Sequence, residues 1–126
     1  MRLASLSPNA HYDLTHGQPQ QLERDNDGSY LFRVNINPEM GVPDGKDEEE
    51  QIGWSCYEVR VWNQPTKANL KKALIRSVVD ETAEFDLVNS YNKHILGVVV
   101  DETAVDEYKE FLLFTEDIDA ILTTSK

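Results

Sequence analysis

The spacing of apolar residues changes once along the chain, at Asn63-Gln64-Pro65. Before this point apolar residues alternate with polar ones, as in Tyr30, Phe32, Val34 and Ile36. After it they recur at three and four residues, as in Leu70, Ala73, Leu74 and Val78. The first period is typical of half-buried strands and the second of amphipathic helices. Strands followed by helices indicate an α+β fold.

We predict a small antiparallel sheet of two or three strands, a hairpin plus one strand, at 20–24, 29–36 and 52–62. Three helices, at 66–79, 81–96 and 103–122, are expected to pack on it. The turn residues Asp25-Asn26-Asp27-Gly28 predict a tight hairpin between the first two strands. Because a bare hairpin is only marginally stable, helices should cover at least one face of the sheet.

The strand at 52–62 changes parity in its middle. Its apolar residues first occupy one parity, at Ile52, Trp54 and Cys56, and then the other, at Tyr57, Val59 and Val61. A slip of one residue moves every side chain to the opposite face. This predicts either a bulge near Cys56, which we favour, or a strand covered on both faces, and it places Trp62 on the outer face.

The helices have recognisable ends and stripes. Thr66 should cap the first helix, the second should start near Asp80–Thr82 and stop at Gly97, and Asp101 or Thr103 should cap the third. The second is expected to bury Phe85, Val88, Tyr91 or Asn92, and Ile95. The predicted stripe of the third is Ala104, Tyr108, Phe111, Thr115, Ile118 and Leu122. Leu113 or Phe114 lies off it, as a wider core contact or as part of an interface.

The hexamer Val78–Ala83 returns unchanged as Val99–Ala104. Two copies are too few for a repeat architecture, which needs about three units. Both copies instead fit the start of a helix, with a capping Asp or Thr and acids in the first turn.

The length of 126 residues fits a single domain, 1–126. Within it we predict a loosely ordered arm at 1–19, a β-rich part at 20–62 and a helical part at 63–126. The stretch 37–51 contains prolines, glycines and the run Asp47–Glu50, so we expect an exposed, mobile acidic loop.

The chain is acidic, with 12 Lys and Arg against 23 Asp and Glu and a net charge of −11. This charge opposes binding to nucleic acid and to anionic membranes. The negative charge either keeps the protein soluble or mimics nucleic acid, so that the chain binds a basic protein. With no apolar run of membrane length and no signal-peptide pattern, we expect a cytoplasmic protein or one incorporated in a phage particle.

No residue pattern indicates catalysis, a cofactor or a metal site. The single Cys56 excludes an internal disulfide and a multi-thiolate zinc site. Three histidines, His11, His16 and His94, lack the spacing of a metal pair. Asp25–Gly28 starts like a calcium loop, but the sixth and twelfth positions hold Tyr30 and Ile36. We therefore expect a protein that is not an enzyme.

One helix face is basic against this acidic background. It carries Lys67, Lys71, Lys72 and Arg76, which we call the basic strip. The strip either forms ion pairs with acidic helices of the same or a neighbouring subunit, or docks on an acidic partner. With Trp62 as an apolar anchor, it is the candidate protein-binding site.

Four segments carry a resemblance: Trp54–Val61, Ala73–Arg76, Leu87–Asn92 and Tyr108–Leu112. In this order they resemble small proteins from prophages and phage tail-gene neighbourhoods of Bacteroides-type gut bacteria, over about half of the chain. The resemblance implies a context and no site residues. We therefore expect a phage-related structural or assembly protein that binds tail or assembly proteins, with homo-oligomers among the outcomes. The alternatives are an acidic decoy for a nucleic-acid-binding host protein and an enzyme of unrecognised type.

Overall fold

The computed structural model describes residues 1–124 and has the α+β fold that the sequence predicts. The chain divides into two compact units. The sheet unit is Leu6–Pro65. The helical unit combines Met1–Ser5 with the chain from Thr66 onward.

The sheet unit contains four antiparallel strands, where the sequence predicts two or three. They are β1 (Ala10–Asp13), β2 (Leu22–Arg24), β3 (Tyr30–Gly41) and β4 (Glu50–Val61). Their order in the sheet is β1-β4-β3-β2. The predicted hairpin is present, because β2 pairs with β3 across the turn at Asp25–Gly28.

The predicted loose arm at 1–19 contains the additional strand. β1 pairs with β4 from Ala10 opposite Cys56 to Asp13 opposite Gly53. Its four residues are too few to show a clear alternation in sequence. The pairing depends on a glycine, since a Cβ at Gly53 would collide with the carbonyl oxygen of Tyr12.

Strands β3 and β4 are longer than predicted, and the loop between them covers only 42–49. The predicted loop at 37–51 is therefore too wide. β3 continues through Pro38, which pairs with Trp54. β2 pairs only with Tyr30–Phe32, so this end of β3 is an edge, where a proline is tolerated.

The irregularity expected near Cys56 is present, but the extra residue is in β3. Val34 pairs with Tyr57 and Asn37 pairs with Ser55, so two residues of β3 lie opposite Cys56. One of them, Asn35, has a φ of 54°. Asparagine tolerates this left-handed conformation better than most residues.

The helical unit contains α1 (Lys67–Val78), α2 (Glu81–Ile95) and α3 (Glu102–Thr124). The predicted caps are present: the Thr66 side chain accepts a hydrogen bond from the amide of Asn69, and Asp80 accepts one from Ala83. The N-terminal segment contacts α3, because Arg2 donates two hydrogen bonds of 2.7 Å to Asp117.

The stripe predicted on α3 forms part of the core of this unit, together with Leu70, Leu74, Ile75 and Val79. Its buried members are Ala104, Phe111, Ile118 and Leu122. Phe114 is fully buried as well, whereas Leu113 is 38% exposed. Phe114 is therefore the wider core contact and Leu113 remains at the surface. None of the helices in residues 1–124 is long and apolar enough to span a bilayer.

Candidate functional site

Helix α2 carries the apolar stripe that its sequence predicts, but the ends of the stripe, Phe85 and Ile95, face solvent. Phe85 is 66% exposed and Ile95 is 59% exposed, while Val88 is half-buried. None of the fifteen residues of α2 is buried. The prediction that this stripe enters the core is therefore wrong for Phe85 and Ile95, whereas Val88 and Tyr91 are half-buried.

The side of α2 that carries Glu84 and Tyr91 makes intramolecular contacts. The rings of Tyr91 and of Tyr108 in α3 lie 4.9 Å apart. Glu84 accepts a hydrogen bond of 2.9 Å from Arg76 of α1. Next to these contacts is an open pocket of about 370 Å³. Its apolar lining consists of Met1, Val78, Val79, Ala83 and Leu87, and its polar lining consists of Asp86, Ser90 and Glu107. Sequence periodicity reveals apolar stripes, but it does not show which one the chain itself covers.

The connection from α2 to α3 extends the exposed stripe. Its apolar side chains are largely in solvent: Leu96 at 77%, Val98 at 69%, Val99 at 52% and Val100 at 81% exposed. We call Phe85, Val88, Ile95, Leu96 and Val98–Val100 the α2 surface.

Hydrogen bonds fix the backbone of this connection. Gly97 has a φ of 74° and ends the helix, as the sequence predicts. The amide of Val98 donates to the carbonyl of Lys93 at 2.9 Å, and the amide of Asp101 donates to Nδ1 of His94 at 3.0 Å. The exposed valines therefore lie in a segment whose backbone is held by hydrogen bonds.

The repeated hexamer shows how exposed these valines are. Both copies cap a helix: Asp80 accepts from the amide of Ala83, and Asp101 accepts from the amide and hydroxyl of Thr103. The hydrogen bond from the Thr103 side chain lowers the pKa of Asp101 below its ordinary value. The burial of the two copies differs.

The second valine of the hexamer is buried in the first copy and exposed in the second. Val79 is 4% exposed, whereas the equivalent Val100 is 81% exposed. Identical sequence and similar capping therefore give opposite burial, because only the first copy has neighbours that cover it. The second copy presents apolar area that the described chain leaves in water.

Charged residues border the α2 surface. Glu81 and Asp86 lie in the first half of α2, and Lys93 lies in the second half. Asp86 and Lys93 are seven residues apart, so both lie on the same side of the helix. Neither forms an ion pair with any residue of the described range 1–124.

Two of the four cations of the basic strip are engaged within the helical unit. Nζ of Lys71 lies 2.7 Å from a carboxylate oxygen of Asp119 in α3. Arg76 forms its ion pair with Glu84 in α2. Lys67 and Lys72 are exposed, and the part of the chain that is described offers them no ion pair. Ion pairs within the helical unit thus account for Lys71 and Arg76 of the basic strip. That the strip docks on an acidic partner stays a prediction.

Trp62 follows β4 in the sheet unit and is 69% exposed. The guanidinium carbon of Arg60 lies 5.7 Å from the centre of its ring, a cation–π distance. Its side chain is accessible, as expected for the outer position. Its role as an anchor stays a prediction.

The sheet unit contains a buried polar cluster that the sequence did not reveal. Arg33 is 2% exposed although it lies between Phe32 and Val34 in the alternation. Its guanidinium donates to the hydroxyl of Tyr12 at 3.1 Å, to the carboxylate of Glu23 at 2.8 Å and to the carbonyl of Gln20 at 3.0 Å. Glu58, directly opposite Arg33, accepts from the Tyr12 hydroxyl at 2.5 Å.

Burial shifts the pKa values in and beside this cluster. It raises the pKa of Tyr12, and the hydrogen bond to Glu58 raises it further. Burial also raises the pKa of the Cys56 thiol. Burial acts to lower the pKa of Arg33, but the bonds to Glu23 and Tyr12 outweigh it and the pKa is raised.

The Arg33 cluster connects all four strands. Tyr12 comes from β1, Glu23 from β2, Arg33 from β3 and Glu58 from β4. Only the pairing of distant strands brings these residues together, so their positions in sequence give no sign of it. The arrangement joins the four strands through side-chain hydrogen bonds and leaves Arg33 inaccessible to a substrate.

No group of three metal-ligating side chains converges anywhere in the portion of the chain that is described. Comparison with protein-family models, with curated proteins and with solved structures gave no match in any of the three.

Proposed function

We propose that the chain is a non-enzymatic structural or assembly protein that acts by binding other proteins. The α2 surface is the observation that carries this proposal. Burial of apolar area against a partner contributes about 25 cal/mol for each Å² removed from water. Contiguous exposed apolar patches on folded proteins mark interaction sites more often than chance placement. In the α2 surface every side chain except the half-buried Val88 is between 52% and 81% exposed.

The Arg33 cluster supports the non-enzymatic part of the proposal. Clusters of titratable side chains in clefts are the usual candidates for catalysis. Here the central side chain is 3% exposed, and its guanidinium bonds to neighbouring strands. A structural role accounts for these contacts without a substrate.

The phage context rests on the resemblance alone. It makes tail or assembly proteins the proposed partners, and it makes the cytoplasm or the phage particle the proposed location. The proposal does not depend on a nucleic acid or a membrane as partner, both of which a net charge of −11 disfavours.

Site-specific photo-crosslinking in the cell that produces the protein tests this proposal. A benzophenone amino acid replaces Phe85, and the matched control replaces Glu116, which is exposed on α3 and is not part of the α2 surface. We expect discrete adducts from position 85 and none from position 116. The adducts should disappear when Leu96→Asp is added, because a charge there opposes burial of the surface.

The absence of adducts from position 85, in a chain whose circular dichroism matches the parent, would contradict the proposal. Mass spectrometry of the adducts separates a second copy of the chain from another protein. Adducts that persist after Leu96→Asp would show chance collision rather than docking and would also contradict it.

An acidic decoy is the second candidate, and the charge of the sheet unit favours it. Residues 6–65 contain eleven Asp and Glu but only four Lys and Arg. Asp44 and Asp47–Glu50 are exposed around the tip of the β3–β4 hairpin. Such a decoy should displace duplex DNA from a basic DNA-binding protein in a gel-shift competition. Neutralising Asp47–Glu50 to the amides should abolish the competition, and no displacement by the parent chain would exclude this candidate.

A further inference from the structure

We infer that the open pocket of the helical unit binds an alkylammonium group, which is an aliphatic chain that ends in an ammonium ion. This is the pocket of about 370 Å³ beside α2. It shares no residue with the α2 surface, so the inference concerns a second site and goes beyond the proposed function. One part of the pocket lining matches the aliphatic chain and another part matches the cation.

The wall of the pocket is aliphatic. Val78 and Val79 come from the end of α1, Ala83 and Leu87 come from α2, and Met1 completes the lining. Val79 is buried, so the packing of the core holds this part of the wall in place. Methylene groups that lie against such a wall are removed from water. Each methylene group that is fully covered should strengthen binding about fourfold.

The residues that α2 contributes lie on one side of the helix. Ala83, Asp86, Leu87 and Ser90 are separated by three, one and three residues, which is the spacing of a single helix face. This side of α2 therefore places an apolar side chain, a carboxylate and a hydroxyl group at the same pocket.

Two carboxylates from different helices line the pocket. Asp86 belongs to α2 and Glu107 to α3, and neither forms an ion pair with another residue in the range 1–124. Glu110, one turn along α3, is engaged, because the amino group of Met1 pairs with it. Ser90 adds a hydroxyl oxygen. An ammonium ion has three donors and no acceptor, so it matches these oxygens.

The aliphatic wall distinguishes this pocket from other acidic positions on the chain. The sequence contains 23 Asp and Glu, and an exposed carboxylate alone contributes little to binding. A metal ion would leave the wall in water, and an anion would meet two like charges. An uncharged aliphatic chain would use the wall but not the carboxylates. A ligand with an aliphatic stem and an ammonium end uses both.

An alkylammonium group can come from two sources. A lysine side chain of another protein and a free aliphatic amine present the same stem and the same charge. The pocket recognises the chemistry that the two sources share, and the choice between them is left to the experiment.

Titration of the full chain, isotopically labelled at the methyl groups of valine and leucine, tests the inference by NMR. With n-pentylamine we expect saturable shifts of the Val79 and Leu87 signals, a dissociation constant on the order of 1 mM, and no shift of the Val100 signals. Pentanol should bind about tenfold more weakly because it has no charge. Propylamine should also bind about tenfold more weakly because it lacks two methylene groups.

Four variants separate the two parts of the lining. Asp86→Asn and Glu107→Gln should each weaken pentylamine binding about threefold and leave pentanol binding unchanged, because each removes one charge and keeps the shape. Glu116→Gln makes the same change at an exposed position on α3 outside the pocket and should bind like the parent. Ala83→Leu should abolish the binding of both ligands because the larger side chain fills the pocket. Position 83 is exposed, so the circular dichroism of this variant should match the parent.

Two further probes identify the source of the amine. Cadaverine represents the free amine, and lysine blocked at both its amino and carboxyl ends represents a protein side chain. Binding of cadaverine alone would assign the pocket to a free amine, whereas binding of the blocked lysine would assign it to a protein side chain.

Three results would overturn the inference. They are the absence of saturable shifts at Val79 and Leu87 with any of the amines, pentanol that binds as tightly as pentylamine, and a loss for Glu116→Gln as large as for the pocket variants. None of them concerns position 85, so failure here is distinguishable from failure of the crosslinking test of the proposed function.

Discussion

The two copies of the repeated hexamer allow a matched pair of mutations. The pair compares how much the burial of the same valine contributes to stability at two helix starts. Val79→Ala and Val100→Ala delete the same methyl groups in the same local sequence. Val79 is 4% exposed and Val100 is 81% exposed. Differences in intrinsic propensity therefore largely cancel, and the remaining difference reports burial.

The expected magnitudes follow from these exposures. Burial of a methyl or methylene group contributes about 0.8 kcal/mol, and the cavity left behind adds to the loss. Val79→Ala should therefore lower the free energy of unfolding by about 2 kcal/mol. Val100 has only about a fifth of its surface covered, so its loss should stay under about 0.5 kcal/mol.

Urea denaturation followed with two probes measures both losses. Far-UV circular dichroism reports chiefly the helical unit, while fluorescence reports the sheet unit because Trp54 and Trp62 both belong to it. For an m-value of about 2 kcal/mol/M, Val79→Ala should shift the midpoint of the dichroism curve by about 1 M. Equal losses for the two variants would refute the reasoning. They would mean that Val100 is covered in solution, and the α2 surface would lose its basis.

Three further predictions concern the sheet unit. Gly53→Ala should detach β1, because the new methyl group meets the carbonyl of Tyr12, and amide exchange in β1 should rise while β3–β4 stays protected. Because the pKa of Tyr12 is raised in the folded state, the free energy of unfolding should fall as the pH rises above about 10 and passes the folded pKa. Tyr12→Phe should remove this part of the fall. If alkaline unfolding of Tyr12→Phe matches that of the parent, Tyr12 is not the group responsible. Limited proteolysis should cut first within 42–49, and earlier nicking within a helix would contradict the exposed loop.

Turns and helix ends that depend on a few neighbouring residues could be predicted from the sequence. The hairpin turn at Asp25–Gly28, the cap at Thr66 and the end of α2 at Gly97 each depend on a few adjacent residues. Turn and cap chemistry acts over that same range, so a single sequence is enough to read it. The class of the fold follows from the order of these local elements.

Features that depend on distant partners could not be predicted. β1 has four residues and becomes a strand only because β4 accepts it at Gly53. Arg33 is buried because Tyr12, Glu23 and Glu58 arrive from three other strands. The stripe of α2 was visible in the sequence, but the absence of a cover was not, because periodicity contains no information about the neighbour.

The division of the chain between its two units has a consequence for synthesis on the ribosome. Residues 1–5 belong to the helical unit, yet the whole sheet unit follows them before α1 begins. The sheet can complete its pairing once Val61 has left the exit tunnel, and domains generally fold as units during translation. Leu3, which is 6% exposed in the finished structure, has to wait for Asp117 and the rest of α3. Leu3 thus stays without its partner until α3 has been synthesised, and during that interval it is open to chaperones or to misplaced contacts.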